Sequence, residues 1–221
     1  MKQFLLSTIC IVCLFSFSEG QSEKYVKAME QRIADMNKSS TPESWLETAN
    51  GFERIAEAEK TQWLAYYYAA YSHIMRGYML SNGKQGQDFS ALTDPEADKA
   101  EALLAKAEAL KKDNSEIMIL KKMIATLRLS ADPMNRWQTQ LPIATEAMNA
   151  AKKLDPGNPR ITLLEGQDKF FTPEEYGGNK AEGKQLLEEA VKKLEAQKPA
   201  SSIDPAWGLS QAKYFLSQMN K

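Results

Sequence analysis

The residues best equipped for chemistry crowd into one stretch, TQWLAYYYAAYSHIMRGYML, residues 61 to 80. It carries Trp63, Tyr66, Tyr67, Tyr68, Tyr71 and Tyr78 together with His73 and Arg76. Aromatic faces stack on flat rings, phenols hydrogen-bond and a guanidinium grips a carboxylate, so the set suits the holding of a peptide or a sugar ring. Helical spacing puts Trp63, Tyr67, Tyr71, Ile74 and Tyr78 on one stripe and Tyr66, Ala70, His73 and Gly77 on another, so the helix is apolar nearly all round. Such a helix is buried between neighbours. Most of its rings are expected in the core and a few along a groove, which makes Trp63, Tyr67, Tyr71, His73 and Arg76 the candidate binding residues.

Bond-making chemistry has little to stand on. His73 is the only histidine, so no two-histidine metal site can be assembled and any Ser-His-Asp arrangement would rest on that one ring. Gly83 and Gly86 lack the preceding strand and following helix of a phosphate-cradling loop and read as turn residues. Glu182, Glu188, Glu189 and Glu195 interleave with Lys180, Lys184, Lys192 and Lys193, the pattern of a solvated helix face. The expectation is a non-enzyme with no metal and no cofactor. The rival is an α-helical enzyme acting on polysaccharide, with a lone Glu165 or Glu175 as general acid in an apolar cleft.

The first twenty residues, MKQFLLSTICIVCLFSFSEG, have a short basic start, an apolar run and a small-residue exit. That is the form of a secretory signal peptide cleaved near Gly20-Gln21, and the apolar run is shorter than the roughly 20 residues a membrane span needs. Cys10 and Cys13 lie inside it, so the mature chain, residues 21–221, has no cysteine for a disulfide or thiolate site. The predicted location is periplasmic or secreted, with no transmembrane helix in the mature chain. Lys and Arg total 28 against 29 Asp and Glu, with signs mixed along the chain, which excludes an electrostatic footprint for nucleic acid.

The remainder reads as one all-α domain of about nine helices, because Ala, Leu, Glu, Lys, Gln and Met dominate and alternating β-branched runs are missing. Thr41-Pro42, Asp94-Pro95, Asn158-Pro159 and Asp204-Pro205 each set a capping side chain before a proline, a helix-start signal. The predicted helices are 23–37, 42–59, 62–80, 94–112, 115–130, 142–154, 159–171, 180–196 and 205–219, with loops such as 82–93, 132–141 and 172–179. Two segments share a pattern of small and large apolar residues: Ala100, Leu104, Ala107, Leu110 and Ala144, Met148, Ala151, Leu154. Weaker copies run Gly183, Leu187, Ala190 and Gly51, Ile55, Ala58. Small residues at these offsets let a neighbouring helix approach closely.

With Pro156 closing it, Ala144-x3-Met148-x2-Ala151-x4-Pro156 resembles the second-helix signature of the tetratricopeptide repeat, and Gly166 lies where the next repeat's first helix carries its glycine. The starts at 51, 100, 144 and 183 are further apart than that family's period of about 34 residues, so the likeness is to a degenerate, exported bacterial form. The resemblance implies antiparallel hairpins stacked into an α-solenoid, a right-handed superhelix whose concave face binds peptides or partner proteins. The leading expectation is therefore an exported protein- or peptide-binding scaffold. The alternative is a carbohydrate- or small-solute-binding helper of an outer-membrane uptake system, which would show an aromatic-lined cavity closed at both ends, whereas a shallow open groove would favour the scaffold. Helix 23–37 has the polar outer face of a cap, whereas 205–219 is more apolar and is expected to fold back or meet a second copy as a homodimer.

Overall fold

The computed structural model describes residues 22–82 and 87–219. Residues 1–21, with both cysteines and the expected cleavage point, and Gly83 and Gly86 lie outside them. Nine α-helices make up the described chain, with no strand: α1 (Glu23–Met36), α2 (Pro42–Ala58), α3 (Trp63–Ser81), α4 (Ser90–Leu110), α5 (Ser115–Ala131), α6 (Pro133–Leu154), α7 (Pro159–Phe171), α8 (Lys180–Ala196) and α9 (Leu209–Met219). No described helix is long and apolar enough to cross a membrane.

Local chemistry sets many of the boundaries. Thr41 and Ser44 cap α2 reciprocally with Pro42 in its first turn, Asn158 accepts from the Arg160 amide ahead of α7, and Asn179 accepts from the Glu182 amide at α8. Each cap satisfies backbone donors that have no partner within the helix.

Three of the expected boundaries are corrected. The segment 132–141 is not a loop. Pro133 rather than Pro142 opens α6, and Pro142 stands inside the helix where its surroundings are exposed, so water can serve the carbonyl that its missing N–H abandons. Helix α4 begins at Ser90, with Pro95 inside it, because Asp94 does not cap the helix but holds Arg136 of α6 through two contacts of 2.7 and 2.8 Å. The last helix starts at Leu209 and not at 205: Gly208 has φ of 118°, a turn that breaks helical continuity, and Asp204 accepts from the Ser201 amide.

Helices α3/α4, α5/α6 and α7/α8 pair as hairpins. Antiparallel pairing shows in contacts such as Lys169 to Glu182 and Lys193 to Thr162 across α7/α8. The leading helices run side by side, with Tyr67 of α3 bonded to Glu116 of α5, and Lys122 of α5 reaching Asp168 of α7 at 2.5 Å. The predicted packing positions are buried in three of the four copies at Ala100, Leu104, Ala107, Ala144, Met148, Ala151, Gly183, Leu187 and Ala190, but the closing Leu110 and Leu154 are exposed because their helices end there, and Ala58 is exposed as well. At α7/α8 the backbones come so close that a Cβ on Gly183 would lie 3.0 Å from the Gly166 carbonyl and from the Phe170 amide nitrogen. By contrast α6 and α7 touch sparsely.

Candidate functional site

The five candidate residues of α3 do not share one surface. Tyr67, Tyr71 and His73 are buried, whereas Trp63 and Arg76 are partly exposed. Tyr67 and Tyr71 face the C-terminal segment of the same chain. The Trp207 ring stacks on Tyr71 at 4.5 Å and 26°, and its indole N–H donates to the Tyr67 hydroxyl at 2.8 Å. That hydroxyl donates in turn to Glu116 at 2.7 Å. Burial above all, then the Glu116 charge, pushes the Tyr67 phenol well above its usual range, so it stays a donor. Arg160, with none of its surface exposed, donates to Glu116 at 3.0 Å, to the Pro205 carbonyl and to Gln197, and its guanidinium lies 5.1 Å from the Trp207 ring centre.

His73 and Arg76 belong to a second network on the other side of α3. The His73 ring sits between Glu96 of α4 at 2.7 Å and Glu53 of α2 at 2.9 Å; Arg76 also pairs with Glu96, and Lys99 lies 3.6 Å from Glu53. Burial alone would lower the His73 pKa, but the two carboxylates outweigh it and raise it. With both ring nitrogens engaged, His73 is a charged brace across three helices and presents no lone pair to a ligand. The two carboxylates considered as general acids are placed differently: Glu165 pairs with Lys152 at 2.5 Å, and Glu175 lies in the exposed turn after α7. Among the described residues no group of three or more His, Cys, Asp or Glu could hold a metal ion.

The uncovered apolar surface lies elsewhere. The first half of α6 buries no residue up to Ile143, leaving Met134 83 % and Trp137 53 % exposed, with Leu141 and Ile143 about half exposed. Trp137, Gln138, Leu141, Pro142, Thr145 and Glu146, all on α6, line a shallow, wide-open surface along that one helix. One wall carries a charge, Glu146. A second aromatic group sits where α7 ends beside α9: Phe171, half-exposed, meets Phe215 edge-on at 5.3 Å, and Phe215 meets the exposed Tyr214 at 5.4 Å. Such surfaces can hold a flat apolar molecule by contact, without acid–base chemistry.

Sequence reasoning passed over Trp137 and Leu141 by assigning them to a loop. The available signal was Met134, Trp137, Leu141 and Thr145 at spacings of three and four, a helical stripe running through Pro142.

An all-α chain of paired helices, with a pinned C-terminal segment and an open apolar face, has the build of a binding protein. No family profile matches the chain, and comparison with curated proteins returns no match. Among solved structures it is similar to the HusA haemophore from Porphyromonas gingivalis, at 32 % sequence identity and a TM-score of 0.75, over 90 % of this chain and 94 % of that one. The chain belongs to the family of that haemophore.

Proposed function

We propose that this protein is an exported carrier of a flat, largely apolar small ligand of the tetrapyrrole class, a helper of an outer-membrane uptake system. The observation that carries the reading is the 32 % identity to a haemophore across nearly its whole length. The exposed face of α6 supports it. A tetrapyrrole laid across Trp137 and Leu141 would gain ring stacking and apolar burial, while Glu146 at the rim would turn the ligand's own carboxylates toward solvent. With His73 engaged on both nitrogens and no cysteine in residues 21–221, contact with the macrocycle face at Trp137 and Leu141 is the main part of recognition on this reading, and an axial ligand would have to come from an exposed Met or Tyr such as Met134. The tetratricopeptide-like stacking of the hairpins belongs to the same proposal: a curved row would carry α6 as one of its returning helices. Export rests on residues 1–20, and mass spectrometry of the envelope form should give a chain beginning at Gln21.

The test is a titration of purified mature protein with haemin, followed by the Soret band and tryptophan fluorescence. Saturable binding is expected, with a Soret shift and quenching of the tryptophan emission that saturate together. Trp137→Ser should weaken binding by about tenfold or more if the indole is an anchor. Haemin that gives no saturable change with the wild type would overturn the ligand class; full affinity in Trp137→Ser would overturn the α6 location.

A further inference from the structure

Over its first half, helix α6 reverses the usual arrangement of polar and apolar residues. Of residues 133–143 only Arg136 and Gln140, four apart and both polar, are partly covered, while Met134, Trp137 and Leu141 are exposed. A surface helix ordinarily turns its apolar stripe inward. The second half does so, burying Ala144, Ala147, Met148 and Ala151. Pro142 divides the two. It has no N–H to offer the Gln138 carbonyl, so the hydrogen-bond ladder is interrupted where the packing begins.

Little holds the first half down. Among the described residues its cross-helix side-chain bonds all come from Arg136, which donates to both carboxylate oxygens of Asp94 on α4 and to the Arg128 carbonyl of α5. An ion pair whose partners are both partly exposed stabilises only weakly. The half has no buried side chain of its own to give up, and segments with few buried contacts open at low free energy.

We infer that residues 133–141 form an arm that opens and closes about Pro142 apart from the packed half, latched by Arg136 to Asp94, and that the ligand closes it. The closing by ligand rests on the tetrapyrrole reading; the arm itself does not. The proposed ligand surface spans the hinge, with Trp137, Gln138 and Leu141 on the arm and Thr145 and Glu146 on the packed half. A rigid flat molecule laid across both sides binds the closed arrangement better than the open one, and a ligand shifts an equilibrium only through such a difference. Entry and release are then openings of the arm, and no other helix has to move.

The experiment is amide hydrogen exchange on the full mature chain, read with and without saturating haemin. Amides 137–141 lie beyond the first turn, whose donors have no partner within the helix, so in a rigid α6 they would be protected as well as 147–151. Without haemin they should exchange at least about tenfold faster than 147–151. Asp94→Asn should quicken 137–141 by a further factor of about two to five and leave 147–151 unchanged, because it weakens the latch alone. Pro142→Ala, which restores the missing N–H, should slow them. Equal protection on both sides of Pro142 in the ligand-free wild type overturns the arm, and so does an Asp94→Asn effect spread evenly along α6. Saturating haemin should slow 137–141 at least about tenfold and 147–151 little. Saturable binding that leaves 137–141 as fast as before overturns the closure while the tetrapyrrole reading stands. Haemin that does not bind overturns both that reading and the closure, and the ligand-free exchange still decides the arm.

Discussion

Trp207 and Trp137 mark the two kinds of surface this chain builds. Around Trp207, Tyr67 and Tyr71 of α3 and Arg160 of α7 converge on one indole, and its N–H is matched by the Tyr67 hydroxyl. Around Trp137, the helix carries a comparable run of large apolar residues, each about half exposed or more. The same residue types thus serve cohesion in one place and lie uncovered in the other, where the proposed function puts the ligand. What separates them is the neighbour: side chains of α3 and α7 close over Trp207, whereas the first half of α6 has no element seated on it and buries no residue up to Ile143.

The strongest way to break the contrast is at Arg160. Removing it as Arg160→Ala leaves the Glu116 carboxylate, itself mostly buried, without its cation, and the Pro205 carbonyl without its donor. Losing one member of a buried pair costs about 3–5 kcal/mol. Urea unfolding should show that loss with an unchanged slope. Arg160→Met combined with Glu116→Gln should recover a large part of it, since the unpaired charge goes with the pair. A loss under about 1 kcal/mol in the single variant would mean that the network is incidental to the fold.

Next in size is the glycine contact that holds α7 to α8. Gly183→Ala places a methyl group 3.0 Å from backbone atoms that cannot rotate away. Overpacking costs about 1–3 kcal/mol while alanine returns roughly 1 kcal/mol in helix propensity, so a net loss on the order of 1 kcal/mol is expected. Stabilisation by the substitution would show that the two helices can ease apart here as α6 and α7 do.

The helices could be read from the sequence wherever the signal was local. Ala144, Met148 and Ala151 were legible as a packing face because helical spacing alone puts them together, and the crowded tyrosines of α3 were legible as interior because no polar stripe interrupts them. What covers those tyrosines was not: Trp207 follows Tyr67 by 140 residues, and no local pattern encodes that pairing. Of the proline signals, Thr41-Pro42 and Asn158-Pro159 do open helices, whereas Asp94-Pro95 failed for the same reason. Asp94-Pro95 satisfies the rule for a helix start, yet Asp94 is claimed by Arg136, whose side chain holds the aspartate carboxyl below its ordinary value. Without that cross-helix partner in view, Pro142 looked like the first residue of a helix and Trp137 like part of a loop.

A slope with pH sharpens the comparison from the other side of α3. His73 faces Glu53 of α2 and Glu96 of α4, with Arg76 and Lys99 completing the group. Its folded-state pKa lies above the ordinary value of 6.5, so the charged ring stabilises the fold in full below that value and the contribution drains away as the pH rises through the folded one. Wild type should therefore exceed His73→Gln in stability most at pH 5.5, with the gap narrowing steadily toward pH 9. A gap that widened with pH would mean that the neutral ring is the form the fold prefers.

The smallest effect is expected at Trp137, and its smallness is the point. Substituting a buried tryptophan costs about 3–5 kcal/mol, because transfer energy is lost and a cavity remains. Trp137 is 53 % exposed on a helix half that buries nothing, so Trp137→Ser removes few contacts and opens no cavity. The change in unfolding free energy should fall within about 0.5 kcal/mol of zero. Serine there also trims an exposed apolar patch, which favours solubility. A null effect on stability together with lost haemin binding would assign Trp137 to the ligand face of the proposed function. A loss of 2 kcal/mol or more in Trp137→Ser would instead place the first half of α6 among the packed elements and remove its claim to be the ligand face.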